Sequence, residues 1–595
     1  MKRALEETLE KVGELMVNLK EKPFFLNDSQ IKWVETTLSS MTLEEKLGQL
    51  FVILKAEPGV DAEKTHKLLE LSHMGGLRWQ NGGTKEETYR QLELFQRYSK
   101  IPLLIAANCD DGGNSLTPEG TFVATAAECG AGSSTENAYH VGLVASREAS
   151  ALGVNWMFNP VVDVYQNWRN TIVNTRSFSS NPDTVIENAR AYIRGLREGA
   201  PHMAYTLKHF PGDGVEELDQ HLVMGVNNLP VQEWEKTFGK VYRTLIQDGA
   251  EAVMVGHIAL PEMSRKLCPG IQDKDIRPAT LAPELLNGLL RQELGFNGII
   301  ITDATHMVGF SAVARRQDAL VQAIMAGCDM LLFANDIQED LTFLREAYET
   351  GRLTEERLSD ALHRILGLKA KLELFQRDFP CGEGLDIIGC EAHKVFSSQA
   401  AESCITLVKD TRHTLPIDPA QQKRVFLVYV GSTPTTKGYR GDPVKRVVIE
   451  ELERAGFFVD VCPNFHALEV ENGVTPMNFA KMLAHSPRRE FSSTHDWVLI
   501  VINVKGYAQE NNVRLRWSCN HSLELPWYNE EVPTVGVSLN YTNHLIDLPQ
   551  VHTFVNAYGS NRAHIRAAVE KLVGKSPFRG KAEDTVFCGR WDTRL

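Results

Sequence analysis

The stretch Lys208–His221, "KHFPGDGVEELDQH", crowds two histidines, a lysine, two aspartates and a Glu-Glu pair around a Pro-Gly turn. A bend requires only the glycines, since Gly212 and Gly214 tolerate the positive φ of a tight turn. It does not require Lys208, His209, Asp213, Asp219 or His221. A solvated loop is the usual fate of a polar cluster taken alone. Asp219 and His221, however, stand two apart, so an extended segment points both the same way. A carboxylate beside an imidazole holds the ring and raises its proton affinity, which suits acid or base work near neutral pH. Lys208 and His209 close the apolar run "MAYTLKH". A lysine ending a buried strand is costly unless it meets an acceptor, which favours a polar cavity.

Four other apolar runs end in polar residues: "PLLIAAN" in Asn108, "NPVVD" in Asp163, "AVMVGH" in His257 and "GIIITD" in Asp303. In a (β/α) barrel the active site is assembled at the C-terminal ends of the strands. For Asp163 and His257 a loop-anchoring hydrogen bond is the slightly preferred reading over a substrate contact. The Asp303 carboxylate is expected to project into the barrel mouth; its competing role is to cap a short helix in "ATHMVGFSAV". Five such ends on one chain favour a shared site.

The elements that must position these groups are legible as pattern. Eight apolar runs recur between Leu47 and Phe333, rich in Val, Ile and Leu with little polar alternation, as parallel strands covered on both faces require. Helical periodicity fills the intervals, as in "NPDTVIENARAYIRGLREG" and "LPVQEWEKTFGKVYRTLIQDG". This predicts an α/β protein whose residues 1–374 form an N-terminal TIM-type (β/α)8 barrel domain that includes an amphipathic helical extension at its N-terminus. A Pro- and Gly-rich linker is expected over 375–393, and a second domain, an α/β sandwich, over 394–595.

With 595 residues the chain is long enough for two cores, and a formal charge of −13 disfavours a nucleic-acid or anionic-membrane partner. A small neutral substrate fits better. The ten cysteines form no C-x-x-C pair or zinc-spaced cluster, so mostly buried free thiols and no metal are expected. The N-terminal segment lacks the apolar run of a secretory signal and no later run reaches membrane-spanning length, which leads to a cytoplasmic expectation.

These residues resemble glycoside hydrolase family 3, and within it the bacterial β-N-acetylglucosaminidases. The signature is Lys-His-Phe-Pro-Gly, one residue, Gly, four variable residues, then Asp, Ser or Thr, and His. "PVVDVYQNWRNTIVNTRSFSSNPDTV" and "LAPELLNGLLRQELGFNGIIITDATHM" are similar too, so the likeness covers Leu47 to about Leu374. The resemblance implies Asp303 as nucleophile and His221 as general acid/base, oriented by Asp219. It implies sugar hydroxyls held by Arg176, Lys208 and His209, with Asn108 and Asp213 as further substrate contacts. No cofactor is implied, and the partner is a small carbohydrate.

Three departures bear on the sugar. Asp213 stands where the acetylglucosaminidases usually carry His, Gln220 replaces the small hydroxyl residue, and Asn108 occupies the place of a sugar-binding Asp. The implied activity is a retaining β-N-acetylhexosaminidase. Three alternatives stay open: a phosphorylase on the same scaffold, a β-glucosidase whose acid comes from the second domain with Glu510 as candidate, and a non-catalytic carbohydrate-binding protein.

Overall fold

The computed structural model describes residues 16–55, 61–80, 83–376, 378–379, 382–431, 442–463, 487–506, 508–510, 513–517, 523–583, 585–587 and 589–594. Most of the expected N-terminal helix lies outside them. The chain divides into two compact units. One comprises Met1–Val123, Ala138–Val164 and Asn181–Lys394; the other comprises Ala124–Asn137, Tyr165–Ser180 and Val395–Leu595. Two short segments of the span expected to be barrel throughout therefore belong to the second unit. Within the expected linker, Gly382–Ile387 forms a 3-10 turn and Glu391 begins a helix that continues to Cys404.

The first unit is built on a closed barrel of eight parallel strands: β1 (Phe51–Lys55), β2 (Gly76–Trp79), β3 (Leu104–Ala107), β4 (Trp156–Met157), β5 (Ala204–Phe210), β6 (Ala252–Val255), β7 (Ile299–Ala304) and β8 (Met330–Leu332). Each pairs with its neighbours in chain order, and β8 closes against β1. Seven strands fall inside one of the eight apolar runs, and β1 passes the end of its run by one residue, Lys55. The absence of alternation has its physical counterpart in β5, where all seven residues are buried.

The helix Pro182–Gly199 starts as its sequence asks, with Asn181 accepting the Asp183 N–H and proline in the first turn. Its Val185, Ala189, Tyr192 and Leu196 form the buried stripe. The helix expected next is instead two, Val231–Lys236 and Phe238–Gln247, broken at Thr237. The break seats Trp234 and Phe238, both buried, against the Pro211-Gly212 turn. Trp234 Nε1 donates to the Pro211 carbonyl at 2.9 Å, and a Cβ on Gly212 would stand 2.1 Å from the Phe238 ring. At the opposite end of the barrel Asp329, just before β8, accepts from the Ile300 N–H at 2.8 Å, from Arg291 at 2.7 Å and from Arg357. That end is closed by ion pairs, and the strand C-termini are left to carry other polar groups.

The second unit holds a six-stranded sheet of β9 (Thr406–Asp410), β10 (Arg424–Gly431), β11 (Phe458–Val461), β12 (Trp497–Asn503), β13 (Thr534–Ser538) and β14 (Thr553–Asn556). The order is β9-β14-β13-β12-β10-β11, antiparallel only at β9/β14. Both faces are covered. Val425, Leu427 and Val535 pack under the helices Pro443–Ala455 and Arg562–Leu572 on one side, and Phe426, Val428 and Ile500 lie on the other. Tyr165, Trp168 and Val173 enter that second cluster. Tyr541 donates its hydroxyl to the Thr171 carbonyl at 2.7 Å and Asn543 donates to the Trp168 carbonyl at 2.6 Å. These contacts explain why Tyr165–Ser180, although it follows the β4 region in the chain, clusters with the second sheet.

Candidate active site

The register between β5 and β6 slips across Leu207 and Phe210, so Lys208 and His209 sit on a bulge at the strand end. Lys208 is only 1% exposed and its Nζ lies 3.7 Å from Asp110 Oδ1, the acceptor a buried ammonium demands. Sequence reading passed over Asp110, although "NCDDGG" places it two residues beyond the polar end of the β3 run. Asn159 donates to the same carboxylate while its Oδ1 takes the Cys109 N–H at 2.7 Å, which fixes the loop after β3. Asn108 is partly exposed at the start of that loop, where its carbonyl accepts the Ser115 hydroxyl.

A second residue that was missed is Arg78 on β2. Burial lowers its pKa first, against the pull of Cys109 and Asp110, and its side chain makes no hydrogen bond among the described residues. An apolar strand pattern conceals such a residue, because one arginine in "GGLRW" reads as an outward-facing position.

Asp163 takes the anchoring role. Its Oδ1 accepts the backbone N–H of His209 at 3.1 Å and of Asp213 at 2.8 Å, and its Oδ2 lies 2.7 Å from His209 Nδ1. A carboxylate only accepts, so Nδ1 carries the proton and Nε2 of His209 is the free end of the ring. Asp213 directs its carboxylate into its own loop, taking the Gly214 N–H at 2.6 Å and Gln220 Nε2 at 3.5 Å. Gly212 and Gly214 have φ of +120° and +108°, as the turn requires. Glu216 in the same loop is pushed up to about 7 by burial, with Asp213 and Glu217 adding to the effect against its bond from the Val226 N–H.

Asp219 and His221 do meet, through a turn rather than an extended segment. Asp219 Oδ1 accepts the His221 backbone N–H at 2.9 Å and lies 2.6 Å from His221 Nδ1, while the Asp219 carbonyl accepts from Leu222 and Val223. The Asp219 side chain is fully buried and that of His221 is 22% exposed. The carboxylate is therefore sheltered from solvent, while part of the imidazole stays exposed, as a group that exchanges a proton requires.

This loop is fastened to the end of β7. The backbone N–H groups of Val308 and Gly309 donate to the carbonyls of His221 and Gln220, each at 3.1 Å. Gln220 Oε1 accepts the His257 N–H at 2.8 Å, and His257 Nε2 lies 3.0 Å from the Ala304 carbonyl. His257 thus has the anchoring role expected of it. Burial pushes it down to about 4, with His221 and His306 contributing and Asp303 opposing.

Asp303 does not cap the helix that follows. That helix, Val308–Ser311, starts after Met307 without a side-chain cap, and Asp303 Oδ1 instead takes the Ala304 N–H at 2.8 Å. Burial raises its carboxyl pKa, but the imidazoles of His209, His257 and His221 and the Ala304 N–H together hold it below the usual value. An ionised carboxylate within the electrostatic reach of a carboxylate-backed imidazole is equipped for nucleophilic attack with proton assistance.

Two expected residues stand elsewhere in the chain's organisation. Arg176 lies in the second unit, ending the 3-10 turn Asn174–Arg176, with its Nη1 3.4 Å from the Ile172 carbonyl. Its role at a sugar stays an expectation from the resemblance. Glu510 is exposed in the second unit, where its backbone carbonyl accepts the Thr171 hydroxyl at 2.5 Å. Among the described residues no group of three His, Cys, Asp or Glu is placed to hold a metal ion. Five of the described free cysteines are buried, and no described helix is long and apolar enough to cross a membrane.

The model of the glycosyl hydrolase family 3 N-terminal domain matches residues 42–368, which takes in the whole barrel and every site residue named on it. The chain belongs to glycoside hydrolase family 3. A family relative from Cellulomonas fimi, a β-N-acetylglucosaminidase/β-glucosidase, is 38% identical over 583 residues, 98% of this chain and 100% of that protein. β-Hexosaminidase A of Pseudoalteromonas piscicida is 30% identical over 342 residues, 53% of this chain and 55% of the relative. Among solved structures, the β-glucoside phosphorylase BglX superposes with a TM-score of 0.87 at 37% identity, covering 97% of this chain and 99% of its own. The family 3 assignment makes the chain a glycoside hydrolase-type enzyme.

Proposed function

We propose that the protein cleaves terminal β-linked N-acetylglucosamine or glucose with retention of configuration, through a covalent glycosyl-Asp303 intermediate. The observation that carries this reading is the fastening of the His221 segment to the turn after Asp303, with buried Asp219 on His221 Nδ1. Asp303 attacks the anomeric carbon as the bond to the leaving oxygen breaks, and His221 Nε2 delivers its proton to that oxygen. The neutral imidazole then takes a proton from water, whose oxygen attacks the same carbon and frees Asp303. Asp219 keeps the tautomer and supports the imidazolium. Lys208, His209, Asn108, Asp110 and Arg78 hold the sugar hydroxyls, Asp163 aims His209, and Asp213 shapes the loop. No metal or organic cofactor takes part in these steps.

N-acetyl-β-glucosaminides are the proposed preferred substrates, on the strength of the Asp-x-His pair. The double name of the Cellulomonas fimi relative supports glucosides as a second class. A phosphorylase is the second reading. It is favoured by the end-to-end similarity to BglX and by an imidazole base, which in its neutral form repels an incoming phosphate less than a carboxylate does. Phosphate in place of water would leave as the sugar 1-phosphate. A panel of aryl β-glycosides assayed with and without inorganic phosphate tests both. Free sugar at a phosphate-independent rate supports the hydrolase, while phosphate-dependent release of sugar 1-phosphate refutes it in favour of the phosphorylase.

A further inference from the structure

We propose that His306 is a specificity-determining residue on the leaving-group side of the site, the surface along which the aglycone departs and the acceptor enters. The proposal rests on the assignment of Asp303 and His221 above.

His306 follows Asp303 by three residues and is held from both sides. Thr305 donates its N–H to the Leu332 carbonyl and its hydroxyl to the Phe333 carbonyl, both at 2.5 Å, while Val308 donates to His221 at 3.1 Å. The ring itself is exposed, lies over Phe333 with centroids 6.0 Å apart and planes 14° apart, and makes no hydrogen bond among the described residues. A flat ring with one face on an aromatic and its nitrogens available is arranged to meet a ligand.

Its place decides which part of the ligand. The acid/base must stand beside the leaving oxygen, and His306 shares its wall with His221 through the Val308 bond. The sugar-holding groups at the ends of β2, β3 and β5 belong to other strands. Burial lowers the His306 pKa first, and His221 and Arg316 add to this against Asp303, so the neutral ring is favoured. A neutral imidazole offers one donor, one acceptor and an apolar face, which suits a sugar or an alcohol. Arg316 is committed to Asp340, with its Nε 2.6 Å from Oδ1. Leaving group and acceptor pass the same acid/base in opposite senses, so one wall serves both steps.

The test compares His306→Ala, His306→Gln and His306→Phe on a β-linked disaccharide and on the corresponding β-glycosyl fluoride, which carries no leaving sugar. In His306→Ala, kcat/KM for the disaccharide should fall about tenfold, the size of one stacked or hydrogen-bonded contact, and that for the fluoride should change less than about twofold. The share of product transferred to an added sugar acceptor should fall as well. Recovery in His306→Phe assigns the effect to stacking, and recovery in His306→Gln assigns it to hydrogen bonding. Equal losses on both substrates would mean that His306 positions Asp303 and would overturn the proposal, as would no loss on either. Labelling of wild-type enzyme by a fluorosugar at a carboxylate other than Asp303 would instead refute the underlying assignment.

Discussion

Val308 donates its backbone N–H to the carbonyl of His221 at 3.1 Å, so the turn after Asp303 and the loop carrying the imidazole are joined through main chain. Gly309 adds the parallel bond to Gln220. The placement of the His221 loop beside the turn after Asp303, on which the proposed mechanism depends, is thereby held by backbone rather than by long side chains.

That joint makes Gly309 a sensitive position. A Cβ there would stand 2.8 Å from the Gln220 carbonyl oxygen and 2.9 Å from the His257 Cβ, closer than real Cβ contacts come. Gly309→Ala should push the His221 loop away from Asp303 and lower kcat about tenfold or more, with the larger loss on substrates with poor leaving groups. Unchanged kinetics in a folded variant would mean that the joint does not set the catalytic spacing.

Removal of the acid should follow the leaving group. His221→Ala should lose several orders of magnitude on an alkyl glycoside and far less on a nitrophenyl glycoside, because an acidic phenol departs with little help. Asp219→Ala should show a weaker version of the same slope, since its part is to orient the ring. Glu510→Ala and Asp213→Ala should show no added slope. A plot of log kcat/KM against leaving-group pKa for the four variants checks this, and the steepest slope at Glu510 or Asp213 would remove His221 from the role.

His257 supplies a pH signature. Its folded pKa is about 4 and the unfolded ring titrates near 6.5, so the unfolded chain binds more protons between those values. Its contribution to stability is intact above about pH 6.5 and declines as pH falls towards 4, by roughly 3 kcal/mol in all. Thermal midpoints from pH 7 to 4 should fall less steeply in His257→Gln than in the wild type. Parallel profiles would show that the ring does not titrate in this way.

Much of this was legible in the chain. Each of the eight barrel strands coincides with an apolar run, β1 passing its end only by Lys55, because strands buried on both faces have no alternation to blur. Polar residues closing such runs marked Lys208, His209, Asp163, His257 and Asp303, and the preference for Asp163 and His257 as anchors agrees with their bonds to His209 and Ala304. Asp110 and Arg78 escaped for opposite reasons. Asp110 sits beyond its strand in a loop where any acid looks solvated, and Arg78 sits within a strand whose pattern gives no sign of facing inward. The inclusion of Tyr165–Ser180 in the second unit was invisible as well. It depends on Tyr541 and Asn543, hundreds of residues away in sequence, and no local pattern encodes such a contact.

The central claim is that Asp303 forms the covalent bond to the sugar. Incubation with an activated 2-deoxy-2-fluoro-β-glycoside, followed by proteolysis and mass spectrometry, tests it most directly, because fluorine slows turnover of the intermediate and leaves the sugar on its nucleophile. The account predicts one added fluorosugar per chain on the peptide carrying Asp303, with labelling abolished and activity reduced by several orders of magnitude in a folded Asp303→Ala variant. A label on any other carboxylate, or near-normal turnover by that variant, would contradict it.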